Sequence, residues 1–410
     1  MPMRFFVLSC ISALISVSDA QNAADTAWQH LQELNTKIGE KVPIGINAAE
    51  FYAVRAKTLH DAAVDFVKQF PNDLHEPEAM LWKIATTDFP ESAELRMVSR
   101  WNKRANVLGL RFAIQPLLFA SMSDGTPAIG VIGGSGLYQI DGLESIQEIV
   151  VDTPFGKPSD SLVYGYVDSR PVYFLPRHAR GHKLLPTELN HRANIFALRS
   201  LNVRWIVSVG AVGSLDEKYA PRDIVLPSQF FDRTSRRSDW TFFGDGIVAH
   251  VGFADPTSAN LRTIIAQEAS ELGYTVHNGG TYVNMDGPAF STRAESEFHR
   301  KMGFDIIGMT NLPEAKLARE AEISLASMNF VTDYDCWKIE DEPVSAQTVI
   351  GHLLANAEAA RRILPRVIRR IPPEPDWPEH RALDSALVTD RRLWPEATIK
   401  KLKTILERFS

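Results

Sequence analysis

Short apolar runs alternate with longer helical patterns from residue 128 to about residue 370, and this alternation restricts the possible folds most strongly. Strands that alternate with helices build a largely buried sheet with helices packed on it. The sequence therefore predicts an α/β domain of layered architecture. The predicted strands are 128–132, 161–166, 170–175, 205–209, 224–227, 280–285, 306–308 and 324–331, and the predicted helices are 188–201, 258–272, 292–302, 312–320 and 345–368.

The first 121 residues follow a different pattern. Residues 1–20 have the parts of a secretory signal peptide: Arg4, a short apolar run and small residues at a cleavage site. The apolar run is shorter than the ~20 residues that span a bilayer. Residues 21–121 carry apolar side chains at helical spacing, so we expect a helical extension with a packing or spacer role. The composition changes at Met122, and we expect a separate domain over 122–410; the alternative to a signal peptide is an upstream extension, with Met122 as the natural initiator.

Composition excludes several classes of partner. The chain has 410 residues and a net charge of −6, which gives no reason to expect nucleic acid or an anionic membrane. Its two cysteines, Cys10 and Cys336, are too few for a disulfide framework or a thiolate metal site. No histidine pair shows metal-ligand spacing on a helix. We therefore expect no metal.

Three segments at the ends of predicted strands are candidates for binding an anion. Residues 130–136 (Gly-Val-Ile-Gly-Gly-Ser-Gly) offer successive backbone N–H groups, and they lack the third glycine of a dinucleotide fingerprint. Residues 176–182 place two arginines and two histidines after a strand, where α/β proteins bind ligands, and guanidinium groups match phosphate oxygens. Residues 208–214 are small and leave backbone N–H groups accessible. Taken singly, each segment is also compatible with a tight or solvated turn.

Three later segments suit a nucleoside. Residues 284–291 contain Phe290, which can stack on a planar ring, and residues 308–311 place a thioether beside a hydroxyl. Asp333 and Asp335 follow the last predicted strand, with Tyr334 between them to exclude water. On an extended segment both carboxyls would face one ligand, and crowded carboxyls in a dry site tend to hold a proton. The alternative is an aspartate pair that caps the next helix. Together the segments favour a phosphate plus a purine-like ring.

From about residue 129 to the C-terminus, the chain resembles the 5′-methylthioadenosine phosphorylases, within the trimeric purine nucleoside phosphorylases. The resemblance implies a central mixed, partly barrel-like sheet flanked by helices, here preceded by a small helical N-terminal region. It also implies a homotrimer with sites at subunit interfaces. The segments that carry it are 133–137 (Gly-Gly-Ser-Gly-Leu), 152–160 (Asp-Thr-Pro-Phe-Gly-Lys-Pro-Ser-Asp), 177–178 (Arg-His), 286–288 with 293–296, 309–310 with 313–314, and 332–337 (Thr-Asp-Tyr-Asp-Cys-Trp).

The implied reaction is the reversible phosphorolysis of S-methyl-5′-thioadenosine to adenine and 5-methylthioribose 1-phosphate, with phosphate as co-substrate and no cofactor. Met309 would lie under the ribose. The implied phosphate ligands are Ser135, Arg177, His178, the backbone of Gly210 and Ala211, and Thr310. The family often carries a hydroxyl side chain where this chain has Gly210, so one phosphate contact must come from backbone or water.

At the other end of the nucleoside, Phe290 would pack on the purine. Asp333 would hydrogen-bond and protonate N7, and Asp335 would support the exocyclic amine. His250 would come from the neighbouring subunit and help enclose the methylthio group. The positions that tune specificity are Ser291 and Ala346, and Ala346 replaces a larger aliphatic residue, which loosens the 5′-pocket.

Two other functions stay open at this point. One is a 6-oxopurine nucleoside or methylthioinosine phosphorylase, against which Asp333 and Asp335 speak because such sites usually need an amide donor. The other is a non-catalytic purine-binding module, against which Arg177, His178 and Asp333 speak. The resemblance favours a cytoplasmic protein, whereas residues 1–20 favour export.

Overall fold

The computed structural model describes residues 126–134, 137, 140–235, 239–338 and 346–409, with backbone alone for 346–355. The chain divides after Asp124, and all of these residues belong to the unit that begins at Gly125. The predicted signal peptide (1–20) and the predicted helical extension (21–121) lie outside the described residues. No helix within the described ranges is long and apolar enough to cross a membrane.

The described residues form a mixed α/β fold in which one eleven-stranded sheet is flanked by helices. The strands are β1 Ala128–Gly133, β2 Leu143–Ile149, β3 Leu162–Val167, β4 Arg170–Pro176, β5 Val203–Ser214, β6 Ile224–Leu226, β7 Gln229–Arg233, β8 Val276–Asn278, β9 Thr281–Met285, β10 Ile306–Gly308 and β11 Ser324–Asp333. The helices are α1 His191–Ser200, α2 Ala259–Glu271, α3 Arg293–Lys301, α4 Asn311–Glu320, α5 Ala346–Arg370, α6 Glu396–Lys401 and α7 Lys403–Leu406. Every predicted strand and helix is confirmed, and most of their ends lie within a few residues of the predicted position. Five elements were not predicted from the sequence: β2, β7, β8, α6 and α7.

β5 is the strand from which the sheet branches. Strand order runs β2-β3-β4-β1-β5-β10-β9-β7, and β11, β6 and β8 continue from the other edge of β5. β1 and β11 lie parallel to β5, whereas β10 lies antiparallel to it. The predicted α/β class and mixed sheet are confirmed. The sheet branches at β5 and does not close into a barrel.

A single apolar cluster fixes the parallel strands. Ile129 and Val131 of β1, with Trp205 and Val207 of β5, pack in a core that also includes Met328 of β11. Residues of α2 and α5 cover this cluster. Because β1, β4, β5 and β11 run in the same direction, their carboxyl ends lie at one edge of the sheet, where α/β proteins bind ligands.

Glu320, at the end of α4, is a buried carboxyl that holds a neighbouring loop. Its Oε1 accepts a hydrogen bond from Thr241 Oγ1 at 2.8 Å, and its Oε2 accepts one from Phe242 N at 2.7 Å. Burial raises the pKa of Glu320 from the ordinary 4.5 to about 7, against the opposing effect of these two hydrogen bonds. Between these two pH values the folded chain therefore keeps a proton that the unfolded chain has lost.

We expect this proton to make stability depend on pH. The contribution of Glu320 is full below about pH 4.5 and is lost as the pH rises through about 7, a change on the order of 3 kcal/mol. Glu320→Gln should remove that slope, because the amide does not titrate. Urea unfolding of both proteins across this range measures the difference, with the exposed Glu297→Gln as control. Parallel pH profiles for wild type and Glu320→Gln would contradict the assignment.

Candidate active site

Arg177 lies directly after β4 and forms a buried ion pair with Glu314 of α4. Its Nε is 2.5 Å from Glu314 Oε1, and its Nη2 is 3.1 Å from Glu314 Oε2. Burial is the largest single effect on the pKa of Glu314 and raises it. The charge and hydrogen bonds of Arg177, with smaller contributions from His191 and Ser208, together outweigh burial and lower that pKa, so the carboxyl is ionised. Ser208 Oγ donates to Glu314 at 2.6 Å and accepts from Arg177 Nη2 at 2.7 Å. Such extra hydrogen bonds are what make a buried ion pair tolerable.

Most N–H groups of the Arg177 guanidinium donate hydrogen bonds to other groups of the protein. Nη1 donates to Val209 O at 3.0 Å, and the contacts to Glu314 and Ser208 bring the total to four hydrogen bonds. An arginine has five N–H groups. Hence at most one N–H of Arg177 points elsewhere, and the positive charge is already balanced by Glu314.

His178 is a neutral imidazole. Burial, and secondly the adjacent Arg177 charge, lower its pKa to about 4. Its Nδ1 lies 2.8 Å from Leu184 O, and since a carbonyl only accepts, Nδ1 carries the hydrogen. The ring also stacks on His182, with centroids 4.4 Å apart. At neutral pH its Nε2 is therefore an acceptor.

A gap in strand pairing lies beside these residues. On one edge of β5, β1 pairs as far as Ser208 and β10 pairs only from Gly213, so residues 209–212 have no partner strand on that edge within the described ranges. Gly210 and Ala211 lie in this gap. The end of β1 borders it, since Gly133 packs against Val209, and a Cβ at Gly133 would lie 3.2 Å from the Val209 Cβ. The backbone groups that point to this edge, which belong to alternate residues because β11 pairs with the other edge, are available to a ligand.

The turn after β10 borders the gap from the opposite side. β10 is antiparallel to β5, so Met309 and Thr310 continue along β5 toward residue 212. Asn284 fixes this turn: its Nδ2 donates to Met309 O at 3.3 Å and its Oδ1 accepts from Leu312 N at 3.1 Å. Met309 also lines a cavity of about 270 Å³.

Asp333 is the last residue of β11, and Asp335 lies in the turn that follows. Asp333 Oδ2 accepts from Thr332 Oγ1 at 2.6 Å, and its Oδ1 accepts from Asp335 N at 2.8 Å. Asp335 has a φ of 51°, in the left-handed region. The expectation of an extended segment over this pair was wrong, because the side chain of Asp333 closes a turn of the kind that aspartate favours. The two carboxyls remain neighbours.

The carboxyl of Asp335 has a buried oxygen near the hydroxyls of Ser291 and Ser296. Its Oδ2 is buried without a hydrogen-bond partner among the described residues, as are Ser291 Oγ and Ser296 Oγ. Burial raises the pKa of Asp335, and the nearby hydroxyls of Ser296 and Ser291 oppose that rise. The three groups together can accept and donate hydrogen bonds to a polar ligand edge.

Aromatic side chains fix the loop that carries Asp333 and Asp335, which are called the acid pair below. Tyr334 packs edge-on against Trp337, with centroids 5.8 Å apart, and Trp337 Nε1 donates to Ser214 O of β5 at 2.8 Å. Phe290 is 54% exposed, so its ring is available to a partner. Cys336 Sγ lies 3.3 Å from Ser291 O and links the loop to the segment after β9.

Comparison with known proteins identifies the family. Residues 128–369 match the profile of the phosphorylase superfamily. The chain belongs to this superfamily. It is 51% identical to the S-methyl-5′-thioadenosine phosphorylase of Geobacter sulfurreducens over 281 residues, which cover 68% of this chain and 98% of that protein. It is 52% identical to the enzyme of the same name from Gloeobacter violaceus, over 68% of this chain and 95% of that protein.

Solved structures give the same result. A methylthioadenosine phosphorylase from an antarctic soil metagenomic library superposes with a TM-score of 0.66 at 45% identity, over 68% of this chain and 99% of that one. Methylthioadenosine phosphorylase from Schistosoma mansoni in complex with adenine has a TM-score of 0.60 at 36% identity, over 63% of this chain and 98% of that one. The resemblance drawn from the strand-end motifs is confirmed.

Three predicted site residues of this phosphorylase are not brought together with the others in the described structure. Ser135 is outside the described residues, and Ala346 begins α5 with a side chain that is also outside them. His250 is exposed, and its backbone N–H donates to Ala386 O at 2.8 Å. The other predicted residues lie at the ends of β4, β9, β10 and β11 or in the unpaired part of β5.

Four side chains near the site were given no role from the sequence: Glu314, Ser208, Asn311 and Asn329. The one available signal was Glu314 itself, an acidic residue in the first turn of α4, a helix with eight buried residues in ten. A buried carboxylate needs a partner. Asn311 Nδ2 donates to Ser208 Oγ at 3.1 Å and so extends the Arg177 network. The two asparagines carry no pattern that one sequence reveals.

Proposed function

We infer that this chain is a pentosyltransferase that catalyses the reversible phosphorolysis of S-methyl-5′-thioadenosine to adenine and 5-methylthioribose 1-phosphate, a step of purine and methionine salvage. The observation that carries this is the placement of two unlike groups along β5. Gly210 and Ala211 lie in the pairing gap and follow Val209, whose carbonyl accepts from Arg177 Nη1, and Gly213 pairs with Asp333. Three residues of strand span about 10 Å. A nucleoside with phosphate beneath its sugar fits between an anion site and an acid pair at that separation.

The gap in β5 suits phosphate. A backbone N–H of the 210–211 segment, the hydroxyl of Thr310 and one N–H of Arg177 are the donors that we assign to it. His178 presents Nε2 as an acceptor, so we assign it to the O–H of monoprotonated phosphate. Donors held in place before the reaction stabilise the transition state without reorganising.

The acid pair suits an adenine leaving group. The glycosidic bond breaks through an oxocarbenium-like state, and bound phosphate then attacks the anomeric carbon with inversion. We assign Asp333 to protonation of N7 and Asp335 to the exocyclic amine, with Phe290 against the ring and Met309 under the ribose. A 6-oxopurine would place a carbonyl against a carboxylate, at a cost of a few kcal/mol if unpaired.

We also propose a homotrimer in which the exposed His250 helps enclose the methylthio group in the adjacent subunit, while Ser291 and Ala346 tune specificity. Phosphate is then the co-substrate and no cofactor is needed. A cytosolic location follows from the substrate, which arises in polyamine synthesis.

The test of this function is substrate cleavage with and without phosphate. We expect the purified full-length chain to release adenine from methylthioadenosine only when phosphate is present, and to cleave inosine and methylthioinosine at least ~100-fold less efficiently. Cleavage without phosphate would indicate a nucleosidase, and a preference for either 6-oxopurine nucleoside would overturn the substrate assignment.

A further inference from the structure

Asn329, in the middle of β11, is a buried amide that the described residues leave unsatisfied. Its side chain is fully buried, and neither Nδ2 nor Oδ1 has a hydrogen-bond partner there. Buried side-chain amides in native proteins nearly always have partners, so an unsatisfied one requires an explanation. A bound ligand is one such explanation, because the backbone of β11 at residue 329 already pairs with β5 on one side and β6 on the other.

The side chain of Asn329 lies over Gly210. The two residues are directly paired in the parallel register of β5 and β11, so their side-chain positions share one face of the sheet. A Cβ built on Gly210 would lie 2.8 Å from Asn329 Oδ1 and 4.0 Å from Asn311 Nδ2. The amide of Asn329 thus occupies the space that a side chain at position 210 would need.

This space adjoins the anion site. Position 210 lies in the unpaired part of β5, and Ser208, two residues earlier on the same face, accepts from both Arg177 Nη2 and Asn311 Nδ2. The guanidinium of Arg177, whose charge Glu314 balances, and the Nδ2 of Asn311 are therefore near this space, and both favour an anion. The Oδ1 of Asn311 has no hydrogen-bond partner among the described residues. The amide of Asn329 has two N–H groups of its own to offer, and a half-turn of the amide places Nδ2 where Oδ1 lies beside Gly210.

We propose that Asn329 is a phosphate-binding residue whose Nδ2 donates to the anion held at Gly210, in place of a hydroxyl side chain at position 210. The assignment rests on the proposed phosphate site. It makes Gly210 and Asn329 a matched pair: the glycine is small because the asparagine supplies the donor. A side chain at position 210 would clash with the amide of Asn329, so the two cannot occupy this space together.

Asn329→Ala is expected to raise the KM for phosphate about tenfold, the effect of one lost hydrogen bond to a charged group, while the KM for methylthioadenosine stays within about twofold. Gly210→Ser alone should impair phosphate use, because its Cβ meets Asn329. The double variant Gly210→Ser/Asn329→Ala should return the phosphate KM to within about threefold of wild type, because the serine hydroxyl replaces the amide. Asn329→Asp, of the same size, should raise the phosphate KM more than alanine does, because a carboxylate repels the anion.

A structural role would give a different pattern. If Asn329→Ala and Asn329→Asp lower thermal stability but change both KM values in parallel, or leave the phosphate KM unchanged, the assignment is overturned while the proposed function stands. If wild type cleaves methylthioadenosine without phosphate, the proposed function fails and this assignment fails with it. Sulfate protection against thermal unfolding, weaker in Asn329→Ala than in wild type, gives a second readout that does not depend on turnover.

Discussion

Asp333→Asn is expected to lower kcat for methylthioadenosine by about 10²–10⁴-fold, the usual contribution of a general acid. Asparagine keeps the shape of the side chain and can still accept from Asp335 N, which Asp333 Oδ1 does at 2.8 Å. The turn should therefore persist, and the loss should fall on protonation of the leaving base. Steady-state kinetics at saturating phosphate measure the effect.

Asp335→Asn is the matched comparison, because it changes the neighbouring carboxyl in the same turn. We expect it to act mainly on the KM of the nucleoside, since Asp335 is assigned to binding the exocyclic amine. A larger kcat loss for Asp335→Asn than for Asp333→Asn would exchange the two roles. Unchanged kinetics for Asp333→Asn would remove it from proton donation.

Glu314→Gln is expected to destabilise the protein by about 3–5 kcal/mol, because it leaves the charge of Arg177 buried without its partner. The side chains of both residues are at least 96% buried, so solvent does not screen the pair. The loss should lower the melting temperature on the order of 10 °C. Calorimetry or urea unfolding measures it. Asp239→Asn is the control, because its ion pair with Arg192 is half-exposed and should be worth less than about 1 kcal/mol.

The double variant Arg177→Met/Glu314→Leu separates stability from function. Replacing a whole buried ion pair by apolar residues often restores stability. We expect a folded protein with a strongly raised KM for phosphate. A double variant with wild-type phosphate kinetics would show that the Arg177–Glu314 pair serves the fold alone.

Strands with continuous apolar runs were predictable, and exposed strands were not. β11 has nine buried residues in ten and β5 has eight in twelve, so both contain apolar runs that predict a strand. β2 has four exposed residues in seven and therefore lacks both an apolar run and clean alternation. β8 has three residues, too few for any period to show.

The positions of site residues were predictable from strand ends, but their contacts were not. Arg177 was recognised as a basic residue after a strand, yet its partner Glu314 is 137 residues away in sequence. The pairing of Gly210 with Asn329 depends in the same way on the register of two distant strands. Local chemistry also decided one outcome: the hydrogen bond from Asp335 N to Asp333 turns a segment that was expected to be extended.

The central claim is that an anion in the β5 gap and the acid pair at the end of β11 hold opposite ends of one nucleoside. A crystal structure with adenine and sulfate tests it most directly. We expect sulfate beside Gly210, Thr310 and Asn329, and adenine with N7 at Asp333 and its ring against Phe290. Adenine away from the loop that carries Tyr334, or sulfate away from residue 177, would contradict the account.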